Sequence, residues 1–215
     1  MKINRLTSLG VFLSLGVSLG AANIHISTPA TSLVIDAVEG EAPRFVYYGA
    51  SLGDVDLGNL PAASASGLSA YPVYGLWPER EAAFSAVHAD GNMTLDMAVT
   101  STSERLDSDG STVHTITMTD RKYPFEIDLN YRSWPDEDVI ETWTEARNGE
   151  KGTVRLTRFM SGYLPIRRSD LHVTQLFGSW ANEARVEEAP LPHGMKVIKN
   201  KDGVRNSHTA HAEVM

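Results

Sequence analysis

The chain has 215 residues, of which 42% are hydrophobic and 21% charged, as in soluble globular domains. This composition excludes a disordered, collagen-like or polytopic membrane protein. The formal net charge of −8 argues against a nucleic-acid partner, because binding the phosphate backbone needs a basic face. The absence of cysteine excludes disulfides, zinc–thiolate sites and cysteine nucleophiles.

The first 22 residues have the pattern of a signal peptide. Lys2 and Arg5 precede an apolar stretch over residues 9–19, and Gly20-Ala21-Ala22 supplies small residues suited to cleavage. The apolar stretch is short for a membrane span, and polar sequence follows it directly. We therefore expect residues 1–22 to be a signal peptide and the protein to be exported, periplasmic or secreted, with no membrane association after cleavage. A buried N-terminal helix is the alternative.

From residue 23 onward, apolar residues recur with a period of two, which is typical of half-buried β-strands. The clearest run covers residues 125–131, where odd positions are apolar and even positions are polar. Residues 93–99 alternate in the same way, and His114, Ile116 and Met118 share one face of another strand candidate. Further strand candidates lie at 34–35, 45–48, 139–143 and 154–156. No long stretch has convincing helical periodicity, so the sequence predicts an all-β fold.

Turn motifs separate these strand candidates. Asp90-Gly91 and Asn148-Gly149 are strong hairpin signals, because Asn or Asp before Gly tolerates positive φ. Residues 107–110 and 135–138 supply two more turns. Turns at intervals of about 8–12 residues are typical of an antiparallel sandwich. We therefore predict one large antiparallel β-sandwich over residues 23–215, with residues 54–70 as a long surface loop.

Motifs for metal binding and for nucleophilic catalysis are weak. His208 and His211 are three positions apart, so a straight strand would point them to opposite faces. Residues 136–138 are acidic but lie in a turn signal, where solvated carboxylates are common. Ser161 and Ser207 lack the Gly-x-Ser-x-Gly context of a hydrolase nucleophile. We predict no metal site, no cofactor and no catalytic residue in this chain.

Large aromatic residues beside Gly or Pro are better candidates for a site. Tyr47 and Tyr48, the segment 71–77 and Trp180 fall outside the regular alternation. Exposed aromatic rings of this kind pack on flat or apolar surfaces, including the face of a sugar. The alternative is that these rings belong to the core or to a domain interface.

Three of these aromatic segments carry a resemblance to a known family. Phe45-Val46-Tyr47-Tyr48-Gly49, followed by Leu52-Gly53-Asp54, resembles the early aromatic-Gly strand of family 36 glycoside hydrolases, the bacterial α-galactosidases. Tyr71-Pro72-Val73-Tyr74-Gly75 is similar to their Tyr-Pro-x-Tyr-Gly element. The most specific match is the ordered series of Gly178, Trp180, Glu183, Leu191, Gly194, Ser207 and His208. The resemblance covers essentially all of the chain after residue 22.

The resemblance implies a fold and an activity. In that family the N-terminal domain is a large β-supersandwich, and a (β/α)8 barrel after it carries two catalytic Asp residues for retaining hydrolysis of terminal α-galactosides. No residue here matches either catalytic motif, and a barrel needs about 200–250 residues with eight helices. We therefore expect this chain to lack the catalytic barrel and to be inactive alone. Residues 212–215 form an open strand candidate, so we also expect the sandwich to be truncated at its C-terminal end.

The sequence departs from the family pattern at two places. Ala70 stands where many relatives have an acidic residue before Tyr-Pro. The segment 54–70 is rich in Ala and Ser, whereas in some relatives the corresponding loop reaches the active site of a neighbouring subunit.

The best-matching segments supply the candidate site residues, which we expect at a substrate rim or domain interface. These residues are Trp180, Glu183, Asn206, Ser207, His208, Tyr48 and Trp77. The sequence thus predicts the N-terminal sandwich domain of an exported α-galactosidase, with α-galactosides, the catalytic barrel and a second copy of the chain as partners. A free-standing carbohydrate-binding or structural β-sandwich module is the alternative.

Overall fold

A computed structural model describes residues 23–53, 57, 68–75, 81–166, 170–179 and 181–199. The described ranges contain eleven β-strands and no α-helix, which confirms the predicted all-β class. The chain divides into two compact units, Met1–Pro165 and Ile166–Met215. The signal-peptide prediction for residues 1–22 lies outside the described residues.

The first unit begins with a three-stranded antiparallel sheet. Its strands are β1 (Asn23–Ser27), β2 (Thr31–Asp36) and β3 (Arg44–Ala50), hydrogen-bonded in that order. Ile24, Ile26, Leu33 and Ile35 belong to or pack against the hydrophobic core, so one side of this sheet faces the interior. The strand candidates at 34–35 and 45–48 are confirmed as parts of β2 and β3.

A four-stranded antiparallel meander forms the largest sheet. It consists of β5 (Met97–Leu106), β6 (Thr112–Asp120), β7 (Phe125–Trp134) and β8 (Val139–Asn148) in sequential order. Ile127 and Leu129 on β7 are buried with Ile116 and Met118 on β6, as the period of two predicts. The turns at 107–110 and 135–138 connect adjacent strands, and both turn predictions are confirmed.

Two short strands form a separate pair within the first unit. Strand β4 (Phe84–Val87) pairs with β9 (Arg155–Phe159), and the Ser85 and Thr157 hydroxyl oxygens lie 2.7 Å apart across the pair. The predicted hairpins at Asp90-Gly91 and Asn148-Gly149 are therefore wrong. In both places the backbone turns, but the strand before the turn and the strand after it belong to different sheets.

A buried histidine joins these two turn regions. The His88 side chain is fully buried, and its Nδ1 lies 2.6 Å from Glu150 Oε1. The second Glu150 oxygen accepts a hydrogen bond from the Ala89 backbone N–H at 3.0 Å. The His88 ring stacks on Tyr123 with centroids 3.7 Å apart, and the Tyr123 hydroxyl donates to Asp90 at 2.8 Å. The two turns thus dock on each other as the chain passes between sheets.

One hydrophobic core lies among the sheets of the first unit. Phe84 from β4 and Phe125 from β7 are both fully buried, with ring centroids 5.8 Å apart. Ile26 and Ile35 from the three-stranded sheet belong to the same buried cluster. Because the three sheets share this cluster, the predicted sandwich packing is confirmed for this unit.

The second unit contains an antiparallel hairpin that turn chemistry alone did not predict. Strand β10 (His172–Ser179) pairs with β11 (Asn182–Pro190), and Ser179 pairs directly with Asn182. Ala181 has a φ of 58°, a left-handed conformation that Asn or Gly adopts more readily. The connection lacks the usual Asn-Gly or Asp-Gly sequence, so turn chemistry carries no hairpin signal here.

The buried His114 predicts a pH dependence of stability. Burial lowers the pKa of His114 below its ordinary value of 6.5, and nearby His25 lowers it further, while the Glu104 carboxylate 3.7 Å from Nδ1 opposes the shift. The unfolded chain therefore binds a proton more readily than the folded one below about pH 6.5. The contribution of the neutral ring to stability is complete above that pH. It is lost as pH falls toward the lowered pKa.

We expect the urea midpoint of the protein to decrease between pH 7.5 and pH 5, and His114→Gln to make this decrease shallower. The exposed His193 offers a matched control, so His193→Gln should keep the original pH dependence. Equal slopes for the wild type and His114→Gln would contradict the assignment. Burial also lowers the pKa of His25, so part of the slope should remain in His114→Gln.

Candidate functional site

The structure describes only part of the predicted site. Tyr48 lies on β3 with 47% of its surface exposed, and Glu183 lies within β11. The other candidates lie outside the described residues: Trp77, Trp180, Asn206, Ser207 and His208. Their role at a substrate rim or domain interface stays a prediction.

The aromatic segments have different positions. Tyr71 is buried in the core with 3% of its surface exposed, which agrees with the core alternative for this residue. Tyr74, three residues later, is 51% exposed. The Tyr47 hydroxyl donates to the Ala50 carbonyl at 2.9 Å, so its polar end is held by its own strand.

A pocket of about 230 Å³ opens beside Tyr71, and we call it the paired-arginine pocket. Its apolar wall includes Tyr71, Leu95, Met97 and Met118, all of which are buried. Its charged groups are two arginines and two carboxylates, Arg44 with Glu41 and Arg121 with Asp96, and Ser69 also lines it. The pocket therefore combines a hydrophobic surface with four charged groups of balanced sign.

Each arginine of the pocket is held by a carboxylate. Arg44 Nη2 donates to Glu41 Oε2 at 2.9 Å, and Arg121 Nη1 donates to Asp96 Oδ1 at 2.7 Å. Arg121 Nη2 also donates to the Gly40 carbonyl. Both pairs are partly exposed, so each adds little to stability, typically about 0–1 kcal/mol. Their main effect is to fix the direction of the guanidinium groups.

The backbone around Asp96 orients the second pair. The Asp96 N–H donates to Asp120 Oδ2 at 2.8 Å, and the Arg121 N–H donates to the Asp96 carbonyl at 3.0 Å. Asp120 is buried and accepts two further backbone hydrogen bonds from Lys122 and Tyr123. The turn after β6 is thereby tied to the segment before β5, which places Arg121 next to Asp96.

The first three residues of the Tyr-Pro-Val-Tyr-Gly segment, residues 71–73, form a wall of the pocket. The Tyr71 hydroxyl donates to the Met160 carbonyl at 2.6 Å, and burial raises the pKa of Tyr71, so the phenol stays protonated at neutral pH. Gly75 makes a bridge to Leu95 and has a φ of 148°. A Cβ on Gly75 would lie 2.7 Å from the Leu95 backbone nitrogen, so the close approach of the two segments requires glycine here.

Both carboxylates of the pocket are paired with arginines. Glycoside hydrolysis uses two carboxyl groups on either side of the bond that is cleaved, one as an acid. Here Glu41 and Asp96 each accept a hydrogen bond from an arginine, which favours the ionised carboxylate, so neither is arranged as a proton donor. In the described ranges, no three His, Asp or Glu side chains are grouped so that they could hold a metal ion.

The charged residues of this pocket belong to no sequence motif, and none of them was among the predicted site residues. Arg44 and Glu41 are near neighbours, but Arg121 and Asp96 are 25 positions apart and meet only through the fold. The signals that could have found them are weak. Asp96 is one of the polar positions of the alternating segment 93–99, and Arg121 follows a strand directly.

The fold and the pocket define an all-β sandwich domain with a small pocket beside its Tyr-Pro-x-Tyr-Gly segment. The sequence model of the glycosyl hydrolase family 36 N-terminal domain matches residues 41–215. This chain therefore belongs to glycosyl hydrolase family 36, and the resemblance read from its aromatic segments is confirmed.

Solved structures of α-galactosidases are similar to this chain. The enzyme from Lactobacillus brevis is 22% identical with a TM-score of 0.75, over 91% of this chain and 31% of that one. AgaB from Geobacillus stearothermophilus is 20% identical with a TM-score of 0.74, over 92% of this chain and 31% of that one. A variant of AgaA from the same organism, in complex with raffinose, is 19% identical with a TM-score of 0.75, over 88% of this chain and 31% of that one.

At these identities the similarity establishes the fold, and this chain spans about a third of each solved protein. A comparison with curated proteins found no match. Among the described residues, no helix has the length and apolar character needed to cross a membrane.

Proposed function

We propose that this chain is the N-terminal sandwich domain of an exported α-galactosidase, and that hydrolysis requires a catalytic domain in addition to these 215 residues. The observation that carries the proposal is the family match over residues 41–215. The solved structures with the same fold are α-galactosidases, and their shared region is about a third of their length. The intact enzyme would hydrolyse terminal α-galactosides with retention of configuration.

The described part of the chain supports a non-catalytic role. Its carboxylates near the pocket are engaged by arginines, and the strongest buried His–carboxylate pair, His88 with Glu150, has no exposed surface on the histidine from which to reach a substrate. The sandwich would instead support the catalytic domain and the substrate rim. Trp180, Glu183, Asn206, Ser207, His208, Tyr48 and Trp77 remain the proposed rim or interface residues.

The experiment is hydrolysis of a chromogenic α-galactoside by the purified chain, with the Lactobacillus brevis α-galactosidase as the positive control. We expect no turnover above the background of a mock preparation, because no pair of carboxyl groups among the described residues is arranged for the acid and nucleophile roles. Turnover that persists after host enzymes are removed would overturn the proposal. Export is proposed from residues 1–22, and N-terminal sequencing of the exported protein should begin at Asn23.

A further inference from the structure

We infer that the paired-arginine pocket binds one neutral sugar ring, a hexopyranose unit. This binding site is independent of the proposed hydrolytic function, because the pocket lies wholly within the sandwich and contains no catalytic arrangement. The inference comes from the balance of charge, the lining, the volume and the rigidity of the pocket.

The charge of the pocket favours a neutral ligand. Arg44 and Arg121 contribute two positive charges, and Glu41 and Asp96 contribute two negative charges. An anion such as phosphate would have to compete with two carboxylates already placed on the guanidinium groups. A cation would meet the arginines. A neutral polar molecule can contact both members of each pair without breaking it.

The polar groups suit hydroxyls in particular. A hydroxyl donates one hydrogen bond and accepts others, whereas a guanidinium only donates and a carboxylate only accepts. Each arginine–carboxylate pair therefore presents both partners that one hydroxyl needs. Hydrogen bonds to ionised groups are also stronger than those between neutral groups. The Arg121–Asp96 contact of 2.7 Å places a donor and an acceptor side by side at the rim.

The lining and volume suit a ring with one apolar face. Tyr71, Leu95 and Met97 offer a hydrophobic wall, and the C–H face of a pyranose is the part of a sugar that packs on such a surface. The volume of about 230 Å³ lies below the range of about 300–1,000 Å³ that is common for drug-sized ligands. The pocket therefore has room for a single ring, and further sugar units would extend into solvent.

The pocket is organised before a ligand arrives. Arg121 is held by Asp96 and by the Gly40 carbonyl, and Asp96 is held in turn by Asp120. Ligand binding then needs little ordering of side chains, which lowers its entropic cost. A ligand with so few atoms still binds weakly, and we expect a dissociation constant on the order of millimolar.

The test is saturation-transfer NMR and calorimetry on the full chain with galactose, raffinose and inorganic phosphate as the probes. We expect galactose or raffinose to bind and phosphate not to bind. Binding of galactose identifies a free monosaccharide as sufficient, and binding of raffinose alone identifies the end of an oligosaccharide; both support the proposal. Phosphate binding in place of sugar binding, or no sugar binding, overturns it.

Matched variants locate the site. Arg121→Gln should weaken sugar binding at least tenfold, because it removes the guanidinium that is paired with Asp96. Arg147→Gln is the control, since Arg147 is held by Glu126 and Asp128 outside the pocket and the charge change is the same. Equal loss in the two variants overturns the location. If Arg121→Gln does not fold, Arg44→Gln tests the other pair of the same pocket.

This experiment separates the two proposals. Sugar binding without hydrolysis supports both of them. Hydrolysis by the purified chain would overturn the proposed function while leaving the binding measurement valid, because the pocket variants report affinity rather than turnover.

Discussion

Replacing Phe84 by alanine should lower the free energy of unfolding by about 3–5 kcal/mol, the usual cost of removing a fully buried phenylalanine. Phe84 has no exposed surface, and its ring lies 5.8 Å from that of Phe125 and 5.7 Å from that of Phe159 between centroids. The change removes contacts to both rings and leaves a cavity where β4 meets the meander. Urea unfolding monitored by circular dichroism measures the difference.

Phe159 provides the matched control, because it is also a phenylalanine of the β4–β9 pair but is 48% exposed. Phe159→Ala removes the same atoms from a half-solvated position, so it should cost clearly less than Phe84→Ala. A cost for Phe84→Ala that does not exceed that of Phe159→Ala would contradict the assignment of Phe84 to the centre of the core.

Gly75→Ala should have the second large effect and lower the free energy of unfolding by about 2–4 kcal/mol. The added Cβ would lie 2.7 Å from the Leu95 nitrogen and 3.0 Å from the Leu95 oxygen, and backbone atoms cannot rotate away as a side chain can. The φ of 148° adds a conformational penalty for any residue other than glycine. Backbone strain and overpacking each cost on the order of 1–3 kcal/mol.

Gly110→Ala separates the two causes. Gly110 has a φ of 83°, but a Cβ there would meet no atom within 4 Å, so this variant carries the conformational penalty alone, about 1–2 kcal/mol. Thermal unfolding of both variants gives the comparison. Equal melting temperatures for Gly75→Ala and Gly110→Ala would contradict a steric cost from the close approach of Gly75 to Leu95.

Local sequence patterns predict the meander well because its structure is local. Residues 125–131 alternate so regularly that one face must be apolar, and the structure buries Phe125, Ile127 and Leu129 in β7. The turns at 107–110 and 135–138 connect strands that are consecutive in the chain. In these cases the turn and the pairing partner are both close in sequence, so alternation and turn chemistry are sufficient.

The same signals fail where the chain changes sheets. Gly91 has a φ of 89°, as its Asp-Gly sequence predicts, yet the strand before it pairs with β9 rather than with β5. A turn dipeptide specifies a reversal of the backbone but carries no information on which sheet receives the next strand. The two turn regions are instead joined by the contacts of His88 with Glu150 and Tyr123, which are distant in sequence and form only in the folded protein.

The candidate site, too, could be predicted from the sequence only in part. The resemblance to a family identified the segment 71–75 as important, and the structure places residues 71–73 at the wall of the pocket. The pairing of Arg121 with Asp96 could not be read from the sequence, because isolated charged residues are common on any surface and only tertiary proximity makes them a pair.

The pairing of β4 with β9 has a consequence for how the chain folds. Ser85 and Thr157 are 72 residues apart, whereas the β5–β6 turn closes a loop of only a few residues. Closing the longer loop from an unfolded chain costs about 2 kcal/mol more in conformational entropy. A pre-formed meander shortens the effective loop, because its strands already bring β9 back toward β4. We infer that the β4–β9 pair forms after the meander, because its contacts join residues far apart in sequence. The burial of Phe84 then offsets the entropic cost of closing this loop.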